Sequence, residues 1–266
     1  MSDEGVFLKS WLALVIGNSR LHWAWFTDDS LSCAWEMSHL SAETIASLLS
    51  SGNPDHYSEA LAEIRTLLHA QTPLWIASVV PSENPRWQAY PSASFITLDR
   101  VPLQELYPSL GIDRALALWG AAVTTGLPAL VIDAGTALTF SAANAEAKFL
   151  GGAILPGLSL QIRSLAQQTA SLPTVDLPDF DALPMRWATN TPDAIRSGIT
   201  YTLFAGVRDF VEAWWQQFPD GTIALTGGGG LWLHRHLLQQ FPSATRIKFD
   251  PYLVFWGMRE LTLPLL

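Results

Sequence analysis

The segment 130–157 constrains the fold of this chain more than any other. An apolar run delivers Asp133 to the end of a predicted strand. Gly135 lets the backbone turn so that its amide and the Thr136 hydroxyl can face a phosphate. Two returning strands are predicted, 138–142 and 147–155, which places this turn on a β-hairpin. The same residues also fit an ordinary tight turn, so a phosphate site and a purely structural turn both stay open.

Composition narrows the class of partner. The chain has 266 residues, 49% of them hydrophobic, which is enough for one large domain or two ordinary ones. Its formal net charge of −9 opposes non-specific binding to nucleic acid or to anionic membranes, so we expect a small-molecule partner instead. Only three lysines occur. A bound nucleotide would therefore need metal ions, backbone amides and helix N-termini to neutralise its charge.

Cysteine content and the N-terminal sequence bear on the compartment. Cys33 is the only cysteine, which excludes an intrachain disulfide and a cysteine-rich zinc site. Residues 1–5 are acidic where a signal peptide would be basic, and no apolar run approaches the length of a transmembrane helix. We therefore expect a cytoplasmic protein.

An earlier segment repeats the pattern of strand, glycine turn and returning strand. Apolar residues 11–16 lead into the turn at Gly17, residues 21–26 return, and Asp28-Asp29 is predicted to end this hairpin. When Val15 is set against Asp133, Gly17 coincides with Gly135. This predicts an internal duplication, with two lobes whose glycine turns face each other across a cleft.

The rest of the chain alternates predicted helices and strands, as is typical of βα layers. The predicted helices are 41–49, 57–69, 113–125, 158–170, 191–217 and 251–261, with a further helix after the glycines at 227–230. The predicted strands are 74–80, 95–98 and 223–226. The proline-rich residues 171–189 are predicted to form a loop. His234 and His236 stand two apart on a predicted helix and point in different directions, which predicts surface residues rather than shared metal ligands.

Residues 111–114, Gly-Ile-Asp-Arg, place a carboxylate beside a guanidinium at a predicted helix start. Asp113 could deprotonate a hydroxyl while Arg114 holds an anionic group of the same substrate. Alternatively, Asp113 is an N-terminal acid that only stabilises the helix. The chain lacks a P-loop, a G-x-G-x-x-G motif, a G-x-S-x-G motif and an H-E-x-x-H motif.

The order of these motifs resembles that of the type III pantothenate kinases, a family of the actin and hexokinase-like ATPase superfamily. The resemblance covers most of the chain. It rests on segments 17–20, 76–81, 111–114, 133–139, 151–158, 190–198 and 226–228.

The resemblance implies an α/β fold of two duplicated ribonuclease H-like lobes, residues 1–112 and 113–266, with a nucleotide cleft between them. It implies ATP-dependent phosphorylation of pantothenate to 4′-phosphopantothenate, the first step of coenzyme A biosynthesis. It further implies a cytoplasmic homodimer that requires Mg²⁺ and a monovalent cation, K⁺ or NH₄⁺.

Site residues follow from the resemblance by position. Asp113 would be the general base, Asp133 would hold the monovalent cation, and Thr136 would contact an ATP phosphate. The implied substrate contacts are Tyr107, Gly111, Ile112, Asp113, Arg114 and Thr191. The implied ATP contacts are Val15, Ile16, Gly17, Asn18, Ser19, Arg20, Thr136, Gly227 and Gly228.

One departure from the family pattern bears on activity. The family has an aspartate two residues before the first glycine turn, where this chain has Val15, and a threonine where it has Ser19. A carboxylate that would help to position Mg²⁺ is therefore missing. Three functions stay open: an active pantothenate kinase, a non-catalytic nucleotide- or pantothenate-binding regulator of the same fold, and a kinase for another small hydroxy acid.

Overall fold

The computed structural model describes residues 10–50, 58–177 and 182–262. The chain forms two compact units. The first unit extends to Pro102 and includes Tyr107–Leu116 and the chain from Val254 on; the second contains Leu103–Leu106 and Ala117–Leu253. The sequence placed the division after residue 112 instead. Asp113 groups with the first unit in the structure, as does the final helix, where Gly257 packs directly on the backbone at Leu116.

The first unit is built on a mixed sheet with covering helices. Its strands are β1 (Ser10–Ile16), β2 (Leu21–Thr27), β3 (Ser30–Met37), β4 (Leu74–Ser78) and β5 (Ala93–Phe95). Its helices include α1 (Ala42–Leu49), α2 (Glu59–His69) and α3 (Asn84–Gln88). The sheet order is β3-β2-β1-β4-β5. Strand β2 is antiparallel to both β1 and β3, β4 is parallel to β1, and β5 is parallel to β4.

Strand β1 is buried on both faces of the sheet, and its successive side chains point to opposite faces. On one face, Leu12, Leu14 and Ile16 belong to the main apolar core of the unit. Helices α1, α2 and α3 contribute Ile45, Ile64 and Trp87 to the same core. On the other face Trp11 stacks on Phe26 with ring centroids 4.2 Å apart, and Phe26 meets Trp256 edge-on at 6.0 Å. Val15 belongs to this second face and is only 5% exposed.

The second unit contains a sheet of the same kind. Its strands are β6 (Ala129–Ala134), β7 (Ala137–Ala143), β8 (Phe149–Pro156), β9 (Thr222–Thr226) and β10 (Ile247–Phe249). The remaining helices of the chain are α4 (Ile112–Thr125), α5 (Leu158–Gln168), α6 (Thr191–Gln217), α7 (Gly230–Gln240) and α8 (Leu253–Thr262). The sheet order is β10-β9-β6-β7-β8.

The predicted duplication is confirmed by strand order and register. Counted along the chain, each sheet places its third, second, first, fourth and fifth strands side by side. Val15 pairs with His22 on one neighbouring strand, and Asp133 pairs with Thr139 at the equivalent position. The alignment of Val15 with Asp133 is therefore correct.

Several strand predictions needed correction. Strand β3 was not predicted, because the Asp28-Asp29 turn was interpreted as the end of the sheet hairpin; Asp28 is left-handed (φ 52°) and the chain pairs again after it. The short β10 and α3 were also missed. Strand β4 ends at Ser78 rather than residue 80. The strand predicted at 95–98 ends at Phe95, since a 3₁₀ turn begins at Leu98.

Strand β8 begins two residues later than predicted. The Asn144 side-chain oxygen accepts hydrogen bonds from the amides of Glu146 and Lys148, at 3.2 and 2.9 Å. This holds Ala147 in a left-handed turn conformation (φ 58°), so pairing resumes at Phe149.

The helix predictions are largely confirmed. The bounds of α6 match the prediction, but its cap is Asn190 rather than Thr191: the Asn190 backbone is extended and its side-chain oxygen accepts from the Asp193 amide at 3.0 Å. The start of the helix predicted at Tyr57 lies outside the described residues, and Ser58 caps α2. The described part of the predicted loop 171–189 contains no helix or strand. None of the helices described could span a bilayer.

The prediction of surface histidines on α7 is wrong for His236. That side chain is 1% exposed and lies against aromatic rings, 5.1 Å from Trp232 and 6.2 Å from Phe204 by ring centroids. His234 is half-buried and contacts the Ile247 carbonyl oxygen at 3.0 Å. Among the described residues, neither histidine belongs to a group of three or more His, Cys, Asp or Glu side chains that could hold a metal ion.

Candidate functional site

The turn after β6 presents the predicted phosphate contact to solvent. The Gly135 amide donates to the Ala137 carbonyl at 3.0 Å, which closes the turn. The prediction that this amide faces a phosphate is therefore wrong, because the hydrogen bond uses it within the turn. Gly135 and Thr136 are both exposed, so the Thr136 side chain stands where a ligand can approach.

The glycine loop after β9 packs against the same turn. Gly227 has a left-handed backbone (φ 87°), and a β-carbon there would lie 2.3 Å from the Asp133 carboxylate oxygen. The Gly229 amide donates to the Ala134 carbonyl at 2.8 Å. Nothing lies within 4 Å of a β-carbon position at Gly228, and the backbone of Gly228 therefore borders open space. The structure thus brings Gly227, Gly228 and Asp133 together.

A third glycine fixes the turn from the other side. The Gly157 amide donates to the Thr136 carbonyl at 2.9 Å. A β-carbon at Gly157 would stand 2.2 Å from the Gly135 carbonyl oxygen and 2.8 Å from the Thr136 oxygen. No side chain larger than hydrogen fits without moving the turn.

Asp133 suits a hard cation. Carboxylate and carbonyl oxygens are the ligands that K⁺, Mg²⁺ and Ca²⁺ prefer, and both kinds surround this turn. In the part of the chain that the structure describes, no three His, Cys, Asp or Glu side chains cluster as a metal cage. A cation at Asp133 would therefore share its coordination with ligand oxygens, backbone oxygens and water.

The turn after β1 is also closed by its glycine amide, over one residue more than the turn after β6. The Gly17 amide donates to the Arg20 carbonyl at 3.0 Å, and the His39 Nε2 contacts the Gly17 carbonyl at 2.9 Å. Asn18, Ser19 and Arg20 are exposed. Their side chains can reach a ligand, whereas those of the predicted ATP contacts Val15 and Ile16 are buried in the strand.

The Asp113 carboxylate is held at the start of α4. It accepts a hydrogen bond from the Arg114 amide at 2.8 Å. The buried Arg114 guanidinium donates to the Tyr107 hydroxyl at 3.0 Å. A β-carbon at Gly111 would come within 2.5 Å of the Asp113 carboxylate, so the glycine makes room for it. Five predicted substrate contacts, including the buried Ile112, therefore lie within the first unit.

Burial sets the basicity of Asp113. Desolvation raises the pKa of Asp113 above its ordinary value, against the smaller lowering effects of the Arg114 amide, the Arg114 charge and His22. A carboxylate with a raised pKa is a stronger base than an exposed one. This is the behaviour that a general base requires.

Thr191, the sixth predicted substrate contact, lies in the second unit. It is exposed in the first turn of α6 and lines a groove of about 690 Å³ along α5 and α6. The groove is largely apolar, with Leu165, Leu172, Ile195 and Ile199 in its walls. It contains neither Asp113 nor Asp133.

Comparison with known proteins identifies the family. The family model described as type III pantothenate kinase matches residues 11–213. A curated type III pantothenate kinase from Nostoc sp. strain PCC 7120 is 48% identical over 263 residues, covering 95% of this chain and 94% of its own. The chain belongs to the type III pantothenate kinase family. The predicted family is thus confirmed.

Solved structures support the fold of this pantothenate kinase family member. A Campylobacter jejuni protein described as a Baf family transcriptional activator superposes with a TM-score of 0.61 at 19% identity, covering 96% of this chain and all of its own. Glucokinase from Balamuthia mandrillaris gives a TM-score of 0.52 at 9% identity, covering 97% and 95%. The actin and hexokinase-like ATPase fold predicted from sequence is confirmed.

Sequence reasoning missed three residues around these turns. Gly157 was noted only as part of a motif, and its close packing on Gly135 depends on the β7–β8 register. His39 lies in a segment without periodicity. His22 lies within an aromatic strand, and its proximity to Asp113 emerges only from the fold.

Proposed function

We propose that this protein transfers the γ-phosphoryl group of ATP to the primary hydroxyl of pantothenate and so forms 4′-phosphopantothenate, the first step of coenzyme A synthesis. The half-buried Asp113 carboxylate, fixed beside Arg114 and Tyr107, carries the proposal. Asp113 supplies a base and Arg114 a cationic substrate contact, within a chain of this kinase family.

Asp113 accepts the proton of the substrate hydroxyl as that oxygen forms its bond to phosphorus and the bond from phosphorus to ADP breaks. Arg114 binds the pantothenate carboxylate, because a buried guanidinium stays charged and its planar fork matches a carboxylate. The Tyr107 hydroxyl, 3.0 Å from Arg114 Nη1, orients that fork. Gly111 leaves room for the Asp113 carboxylate, and the buried Ile112 lies between these two residues in the chain.

ATP contacts follow from the exposed turns. In the first unit, Asn18, Ser19 and Arg20 offer donors to phosphate; the Arg20 pair with Glu36 is exposed on both sides and can be exchanged at little cost. In the second unit, Thr136 and the open backbone at Gly228 do the same. Bound Mg²⁺ and K⁺ or NH₄⁺ would neutralise phosphate charge, with Asp133 as the protein ligand of the monovalent cation.

Replacing Asp133 tests the cation site. We expect Asp133→Asn to raise the ATP concentration for half-maximal rate about tenfold, as for losing one charged contact of about 1.5 kcal/mol, and to blunt activation by K⁺ and NH₄⁺. ATP titrations at several KCl and NH₄Cl concentrations measure both effects. Asp209→Asn, an exposed change on α6, is the matched control. An unchanged cation response would remove Asp133 from this role.

Restoring a carboxylate at position 15 tests the departure from the family pattern. Val15 lies near the end of β1 on the face opposite the main core. Val15→Asp should lower the Mg²⁺ concentration needed for half-maximal rate while the chain stays folded, because pairing with the metal offsets the cost of burying a carboxylate there. Val15→Asn is the control, because asparagine has nearly the shape of aspartate but carries no charge. Unfolding, or an identical Mg²⁺ dependence, would contradict the prediction.

A panel of candidate substrates tests which hydroxy acid the protein phosphorylates. ATP consumption is measured with pantothenate and with other small hydroxy acids, and each product is identified by mass spectrometry. The proposal predicts phosphopantothenate and much slower turnover of the other acids. Faster phosphorylation of another hydroxy acid would reassign the substrate while keeping the kinase chemistry.

A homodimer in the cytoplasm completes the proposal. Met185 and Trp187 are 76% and 85% exposed beside the α5–α6 groove. Their segment is anchored rather than loose, because Ser197 and Tyr201 donate hydrogen bonds to the carbonyls of Arg186 and Pro184. An indole held outward in this way fits a contact with a second copy of the chain. Net charge disfavours nucleic acid and membrane partners.

A further inference from the structure

His22 lies directly beside Val15 on the neighbouring strand. The two are partners in the antiparallel β1–β2 register, so their side chains leave the same face of the sheet. Glu36 is the partner of His22 on β3 and continues the row. Because Val15 is uncharged, His22 carries the titratable group nearest to it in this row.

Asp113 approaches the same end of the sheet. Val79, just after β4, donates its amide to the Ile16 carbonyl at 3.0 Å. Its side chain lies 3.7 Å from the β-carbon position of Gly111, which in turn is 2.5 Å from the Asp113 carboxylate. The carboxylate therefore stands over the carboxyl ends of β1 and β4, where His22 also lies.

Three charged side chains lie around His22 and Asp113. Glu36 Oε2 is 4.0 Å from His22 Nδ1, and Arg20 pairs with Glu36 at 3.0 Å. Arg114 borders Asp113. Burial lowers the pKa of His22, while Glu36 raises it, Arg20 lowers it and Asp113 raises it. Burial raises the pKa of Asp113 and the His22 charge lowers it, so the charge on each group affects the pKa of the other.

We propose that His22 is a positioning residue that keeps Asp113 in its ionised, base-competent form as the pH falls, an inference that rests on the proposed function. The imidazolium stabilises the adjacent carboxylate electrostatically. When His22 is protonated, its charge opposes uptake of a proton by Asp113, so the carboxylate stays ionised to a lower pH. The row Val15, His22, Glu36 thereby extends the working range of the enzyme towards acid.

The pH profile of kcat/KM tests the role in catalysis. The rate requires ionised Asp113, so it falls as the pH drops through the pKa of that group. His22→Gln removes the imidazolium, raises this pKa and should move the acid limb to higher pH by about half a unit or more. The high-pH plateau should be unchanged. His69→Gln, which removes an exposed imidazole elsewhere in the unit, should leave the limb in place. An unshifted limb in His22→Gln overturns the inference.

Nuclear magnetic resonance of the imidazole tests the pair without turnover. The His22 signal, assigned by its loss in His22→Gln, is titrated in the wild-type chain and in Asp113→Asn. Coupling is reciprocal, so the pKa of His22 should fall in Asp113→Asn by about the shift seen in the kinetic limb. An unchanged His22 titration contradicts this inference alone. A wild-type protein that never phosphorylates pantothenate contradicts the proposed function instead.

Discussion

Asp113→Asn lowers kcat by roughly 10²- to 10⁴-fold, the range expected for loss of a general base. The change leaves the chain folded, because burial penalises the charged form of Asp113 and the amide oxygen of asparagine can still accept from the Arg114 amide. ATP binding also persists, since no phosphate contact is removed. Steady-state kinetics, a thermal melt and ATP titration measure the three quantities.

Asp99→Asn is the matched control, because it makes the same substitution at an exposed carboxylate of the same unit. It should keep the wild-type rate. Retained turnover in Asp113→Asn would remove Asp113 from the base role and favour its alternative interpretation as an acid that only stabilises the start of α4.

Gly157→Ala is expected to damage the second phosphate turn. The added methyl would stand 2.2 Å from the Gly135 carbonyl oxygen, so the backbone of the turn must move. Such overpacking costs about 1–3 kcal/mol of folding free energy. It should also raise the KM for ATP at least severalfold, because Thr136 belongs to the displaced segment. Thermal unfolding and ATP titration report the two effects.

Gly206→Ala is the matched control on α6, where a β-carbon meets nothing within 4 Å. There the change should be neutral or slightly stabilising, since alanine favours a helix by about 1 kcal/mol over glycine. A Gly157→Ala protein with wild-type stability and ATP affinity would show that the turn tolerates displacement and does not bind phosphate.

Local sequence signals predicted the features whose causes are local. The cap and first turn near Thr191 gave the bounds of α6, and the spacing of Gly17 and Gly135 gave the duplicated hairpins. Motif order gave the family, because each segment is short and weak but their order is specific. The turn at Asp133 was placed correctly for the same reason.

Features that depend on tertiary contacts escaped prediction. Strand β3 is half-exposed and lacks a clean alternation, so only its pairing with β2 defines it. His236 is polar, yet its packing edge-on against Trp232 and tilted against Phe204 buries it. The Gly135 amide points into its own turn, a detail of backbone geometry that glycine spacing does not encode. The neighbourhood of His22 and Asp113 likewise requires the fold.

A coupled ADP-release assay with purified protein, MgATP, KCl or NH₄Cl and pantothenate tests the central claim most directly. The account predicts one ADP released per phosphopantothenate formed, no ADP release when pantothenate is omitted, and loss of both products in Asp113→Asn. Binding of ATP without pantothenate-dependent ADP release, under conditions where the chain is folded, would contradict it and identify the protein as a non-catalytic nucleotide-binding member of the fold.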